Sequence, residues 1–143
     1  MSDHTAVIEQ SEAFYSALLD ALLEHEDLFG TPFVGNRDWN TTDYPASELI
    51  PESATYQPPN EYQYQARVNL YFHRSRLTDY IGEIIPALSA IVESGVERLR
   101  ETPLYAFRVS DIEYFIGSDF ESTSLVMISL RWTAEGPVDL ANR

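Results

Sequence analysis

Hydrophobic and polar positions follow two rhythms along this chain. Over residues 5–28, Val7, Ser11, Phe14, Leu18 and Leu22 recur at helical spacing, and Ile8, Tyr15, Leu19 and Leu23 widen the stripe. Glu9, Glu12, Asp20, Glu24 and Glu26 take the outer positions. This spacing predicts an amphipathic helix with one face turned to a core. Thr5 is placed to cap its start and Gly30, just after Leu28-Phe29, to end it.

The second rhythm has a period of two. In 61–74, Tyr62, Tyr64, Ala66, Val68, Leu70 and Phe72 alternate with Gln63, Gln65, Arg67, Asn69, Tyr71 and His73. Alternation held this long predicts a strand with one buried and one polar face. Residues 104–116 and 121–133 repeat the rhythm around Gly117-Ser118-Asp119, predicting a long hairpin with Val126, Ile128, Leu130 and Trp132 on one face. Gly136-Pro137 then begins a short tail, 134–143. Helical spacing returns over 76–100, where Leu77, Ile81, Ile84, Leu88, Ile91, Val92, Val96 and Leu99 form a stripe behind Ser75 as candidate cap. Pro86 predicts a kink inside that helix, and Gly95 weakens its last turns.

Residues 31–60 keep neither rhythm. Pro32, Pro45, Pro51, Pro58 and Pro59 interrupt them too often for a long helix or a central strand. Phe33, Val34, Trp39, Tyr44, Leu49, Ile50 and Tyr56 are too apolar for a free linker. The segment reads as an irregular arm with one or two short strands, anchored by its aromatics. The whole chain, 1–143, reads as one α+β domain: a three- to four-stranded, mainly antiparallel sheet with two helices packed on one face. At 143 residues it is long enough for one core.

Charge adds a second constraint. Nine basic residues face 23 acidic ones, a formal net charge of −14, and every basic residue is Arg. Such a chain repels nucleic-acid phosphates and anionic membranes as a whole, since binding either requires displaced counterions. Its composition resembles that of salt-loving archaea and their viruses; GC-rich coding bias is the alternative source. With no Cys, disulfide scaffolds, thiolate zinc sites and cysteine nucleophiles are excluded. No apolar run approaches the roughly 18 residues of a membrane span, and the polar start Met1-Ser2-Asp3-His4 does not read as a secretory leader.

Candidate chemistry is sparse. His4, His25 and His73 lie in separate elements without ligand-spaced partners, and Glu24-His25-Glu26 lacks the paired His of a zinc helix. The Gly117-Ser118-Asp119 turn is not a nucleophile elbow. Pairs such as Glu24/Asp27 and Glu48/Glu52 are expected by chance in so acidic a chain. The stretch from Asp38 to Asp43 lacks the glycine and distal glutamate of a calcium loop. No catalytic residue, metal or cofactor is expected. What remains is a surface: Arg67, Asn69, Tyr71 and His73 on one strand face, Arg74 and Arg76 beside them, and the arm aromatics Trp39, Tyr44 and Tyr56. Arginine and large aromatics suit a subunit interface. Neutralisation by carboxylates of the same chain is the competing reading for each Arg.

The order of elements resembles a known family. Phe14 to Leu23, the run Tyr62-Gln63-Tyr64-Gln65-Ala66-Arg67-Val68-Asn69-Leu70-Tyr71-Phe72, Leu77 to Leu99, and Leu125-Val126-Met127-Ile128-Ser129-Leu130-Arg131-Trp132 carry the likeness. Together they resemble the tail terminator, or tail completion, proteins of tailed viruses, including those of haloarchaea. Pro86 and the long arm depart from that pattern. The resemblance implies a homo-oligomeric ring, usually of six copies, at the head-proximal end of the virion tail. There it would stop growth of the tail tube, join the tube protein to the head connector or neck protein, and leave a lumen through which DNA passes without specific binding. Assembly in the host cytoplasm and no membrane contact follow from the same likeness. Two other classes fit the layering: a small-molecule-binding or regulatory α+β sandwich, and a small pocket enzyme of cyclase or isomerase type.

Overall fold

A computed structural model describes residues 3–34, 45–116 and 125–138. Helix α1 (Asp3–Leu23) is followed by a one-turn helix α2 (Glu26–Phe29), strand β1 (Phe33–Val34) and two long strands, β2 (Ala46–Gln57) and β3 (Glu61–His73). A 3-10 segment (Arg74–Asp79) and a π segment (Tyr80–Ile84) lead into α3 (Ile85–Arg100), and β4 (Tyr105–Ile116) and β5 (Leu125–Pro137) close the order. The sheet runs β1-β2-β3-β5-β4, antiparallel throughout except for the short β1·β2 pair. The fold is α+β, with α1 and α3 packed together on one face of the sheet.

That face is where the period-two pattern pointed. Tyr64, Ala66, Val68, Leu70 and Phe72 of β3 and Val126, Ile128, Leu130 and Trp132 of β5 are buried against Phe14, Leu18 and Leu22 of α1 and Leu88, Ile91 and Leu99 of α3. Gly95 lets the α3 backbone rest on Trp132. A Cβ there would stand 2.6 Å from the indole Cη2, well inside van der Waals contact.

Four local expectations are corrected. The first helix stops at Leu23 and restarts as α2, and it begins at Asp3, so Thr5 lies inside it. Gly30 does end α2, at φ 69°, the left-handed region that favours glycine. The stripe of α1 is also rotated: Gln10, Ala17 and Ala21 are buried, whereas Ile8 is 67% exposed. Tyr64 explains this, since its buried hydroxyl donates to Gln10 Oε1 at 2.5 Å while Gln10 Nε2 donates to the Pro137 carbonyl at 2.8 Å. A hydrogen-bonded amide is affordable inside a core where a lone one is not.

Second, Pro86 starts a helix rather than kinking one. It sits in the first turn of α3, where a backbone N–H has no intrahelical partner to lose. Immediately upstream the ladder widens, and the Ile85 N–H bonds back five residues to the Tyr80 carbonyl. The change of winding shifts the phase, which leaves Ile81 81% exposed and makes Ser75 part of the 3-10 segment instead of a cap.

Third, the second half of the 31–60 arm is a twelve-residue strand, β2, hydrogen-bonded along its length to β3. Pro51 is tolerated because no described residue pairs with it on the outer side of β2, where the described part of β1 meets Glu48 and Leu49, and because the register shifts between Pro51 and Ser53 as a bulge. With the arm supplying β1 and β2, the sheet has five strands. Fourth, β5 runs through Gly136 to Pro137, which takes the start of the expected tail into the sheet. The hairpin turn at 117–119 lies outside the described residues.

Candidate subunit interface

The face of the sheet turned away from the helices carries the polar half of each strand. Arg67 is its centre. Its Nε donates to Glu52 Oε2 at 3.1 Å, and its Nη1 reaches across β5 to Ser129 Oγ at 3.0 Å and Glu113 Oε1 at 3.2 Å. One guanidinium thereby ties β2, β3, β5 and β4 together. Arg131 is the cross-strand partner of Arg67, and like charges in that position repel. The Glu52 carboxylate resolves the repulsion by bridging the two, accepting from Arg131 Nε on Oε1 at 3.3 Å. The bulge after Pro51 is where Glu52 enters the face. Partial burial works against the charge on Arg67, but the hydrogen bonds it donates to Glu52 and Glu113, with their negative charge, outweigh it and push the guanidinium pKa up.

Asn69 and Tyr71 belong to a second cluster one step along. Both are buried, and both donate to the same oxygen of the buried Glu48, from Asn69 Nδ2 at 3.1 Å and from the Tyr71 hydroxyl at 2.7 Å. Glu48 and Glu52, four residues apart on β2, therefore face the same side with different partners. A carboxylate held by fixed donors orients strands; neither of these lies in a cleft between helices and sheet.

The other candidates are dispersed. His73, at the end of β3, and Arg74, at the start of the 3-10 segment, are exposed, and Arg76 pairs with Glu83 of the π segment. Tyr56 lies on β2 at the far end of the sheet, 41% exposed and edge-on to Tyr62. Trp39 and Tyr44 lie outside the described residues. The structure thus groups Arg67, Asn69 and Tyr71 on one face with carboxylates of their own chain, continues that face to His73 at the end of β3, and sets Tyr56, Arg74 and Arg76 apart from it.

A further surface was not singled out by sequence. On the helix side, at the β4 end, α3 covers the last strand only in part. Ile85, Leu88, Val92, Ile112, Tyr114 and Leu130 line an open groove of about 410 Å³. Ile112 and Tyr114 are each 45% exposed and Ile116 is 38% exposed. The Tyr114 hydroxyl meets that of Tyr80, and burial first, then that contact, pushes its pKa up to about 12. Alternation in 104–116 was legible, but which strand of the hairpin would be the sheet's edge was not.

Among the described residues, no three His, Asp or Glu side chains converge as a metal site, and no helix is long and apolar enough to cross a membrane. Compared with models of known protein families and with curated proteins, the chain matches none.

Proposed function

We propose that this chain is a structural subunit of a ring, of the tail-terminator kind, which closes the end of a viral tail tube and joins it to the head connector. The observation that carries the reading is the asymmetry of the sheet. One end is β4, which pairs only with β5 among the described strands; the other is the β1·β2 pair, in which the described residues of β1 meet β2 only at Glu48 and Leu49. Two open ends of different sequence on opposite sides of one domain are what a head-to-tail contact needs, and such contacts close into rings when the rotation per copy divides a full turn. The element order resembles that of tail terminators, and the net charge of −14 suits a lumen that must pass DNA without gripping its phosphates.

The test is native mass measurement and negative-stain imaging of the purified chain in roughly 2 M salt, where screening confines self-repulsion to about 3 Å or less. The expected result is a closed ring with an open centre. A chain that stays monomeric from dilute to concentrated solution rejects the reading. The groove between α3 and β4 favours a second one, a small-molecule-binding domain, since its volume falls in the range of ligand pockets. That alternative predicts a monomer or dimer whose melting temperature rises with an apolar ligand.

A further inference from the structure

We infer that the outer edge of β4 receives the free half of β2 from a second copy of this chain, so that the sheet continues antiparallel across the subunit boundary. This rests on the ring reading above and names the surfaces that meet. Three observations lead to it.

The first is the supply of unpaired backbone. Among the described residues, β4 pairs with no strand on its outer side from Tyr105 to Phe115, and its ladder is regular from Asp111 on, after register shifts at 105–108 and 109–111; β2 beyond Leu49 offers residues 50–57, which meet no described strand on that side and of which 53–57 follow the bulge in regular register. Five residues is an ordinary strand length, and a row of unpaired amides is a template for another strand.

The second is direction. β2 is antiparallel to β3, β3 to β5 and β5 to β4, so β2 and β4 run in opposite senses within one copy. A second copy set beside β4 in the same orientation therefore brings its β2 in antiparallel, the arrangement with the better-aligned bonds.

The third is what the side chains meet. In β2, Ala54 and Tyr56 are in register with Tyr64 and Tyr62 and face the helix side; in β4, Ile112, Tyr114 and Ile116 are in register with Leu130, Ile128 and Val126 and face the same side. Joining the edges sets the exposed Tyr56 beside the exposed apolar row of β4, over the groove under α3. On the opposite face β4 presents Asp111 and Glu113, in register with Arg131 and Ser129. A two-fold β4–β4 contact centred on Ile112 would set these carboxylates against those of the other copy, which is unfavourable. The β2 edge answers them with the uncharged Ser53, Thr55 and Gln57, and its Glu52 is already paired with Arg67 and Arg131 of its own copy.

The chain has no Cys, so an engineered pair reports cleanly. One preparation carries Asp111→Cys; the other carries Ser53→Cys, Thr55→Cys or Gln57→Cys in turn, sampling registers two residues apart. The two are mixed and oxidised in roughly 2 M salt, with circular dichroism and native mass recorded for each variant. The expected product is a disulfide between the two different variants in one of the three mixtures, at unchanged oligomer mass. Oligomers that give only Asp111→Cys self-pairs, or no cross-link in any mixture, overturn the strand joint and leave the ring reading standing. A wild-type chain that stays monomeric overturns both. As a second measurement, Ile112→Asp should lower the oligomer fraction about tenfold while Ile8→Asp, at an exposed site on α1, leaves it unchanged; equal loss in the two overturns the joint.

Discussion

The two faces of the β3·β5 ladder are built from the same strands and hold together by different physics. On the helix side, Tyr64, Ala66, Val68, Leu70, Ile128, Leu130 and Trp132 are removed from water against two helices. Their contribution scales with buried area and is non-directional. On the open side, Arg67, Arg131, Glu52 and Glu113 act through geometry, since each donor must find its carboxylate. The difference teaches that the helix side supplies most of the stability, whereas the open side selects the register: a slip of one residue would carry the arginines into the core and the apolar row into water.

Trp132 offers the strongest way to break that comparison. Trp132→Ala should cost about 3–5 kcal/mol by leaving a cavity under α3, read from the urea midpoint. Trp132→Phe should cost much less, because the indole Nε1 is buried without a hydrogen-bond partner and the phenyl ring brings no such group. Next comes Gly95→Ala, expected to destabilise by about 1–3 kcal/mol through overpacking against the indole, despite the better helix propensity of Ala. A neutral or stabilised Gly95→Ala protein would mean that α3 can lift from the sheet.

On the open face, Arg67→Met should cost about 1–2 kcal/mol at low salt, since it leaves Glu113 without its partner and Glu52 with Arg131 alone. The cost should shrink in molar salt, where screening weakens what remains of the charge network. No such salt dependence is expected for the Trp132 or Gly95 substitutions. That contrast sharpens the division between the two faces, and a salt-independent Arg67→Met would erase it.

The smallest effect concerns alkaline pH. Burial raises the pKa of the Tyr64 hydroxyl far above its ordinary value of 10.0. Above pH 10 the unfolded tyrosine gives up its proton and the folded one keeps it. The folded state then binds more protons, and stability falls as pH rises. Tyr64→Phe should flatten this decline at a cost of about 1 kcal/mol near neutrality for the lost bond to Gln10. Tyr105 and Tyr114, each pushed up to about 12 chiefly by burial, keep part of the slope in place.

How far the sequence could be read depended on whether an element declares itself locally. β3 and the hairpin strands did, because alternation over ten or more residues survives any choice of partner. β2 did not: Pro51 and Pro58-Pro59 look like breakers, and Pro51 is accommodated at a bulge in the β2·β3 ladder. Gln10 was invisible for a related reason, since a polar residue in a helix stripe is buried only if a distant hydroxyl meets it. The interface candidates divided in the same way. Arg67, Asn69, Tyr71 and His73 share one face of β3, because period two places them there. That Glu48, Glu52 and Glu113 would meet the first three depended on two neighbouring strands and a bulge.

Taken alone, the chain's order of apolar and polar residues determined an α+β domain with a mainly antiparallel sheet and helices on one face, since patterning follows from backbone geometry within single elements. Only the tertiary structure decided that β4 stands at one end of the sheet and the β1·β2 pair at the other. Strand order is set by which apolar faces and hydrogen-bond ladders can be satisfied together, a condition on the whole chain that no local window of sequence contains.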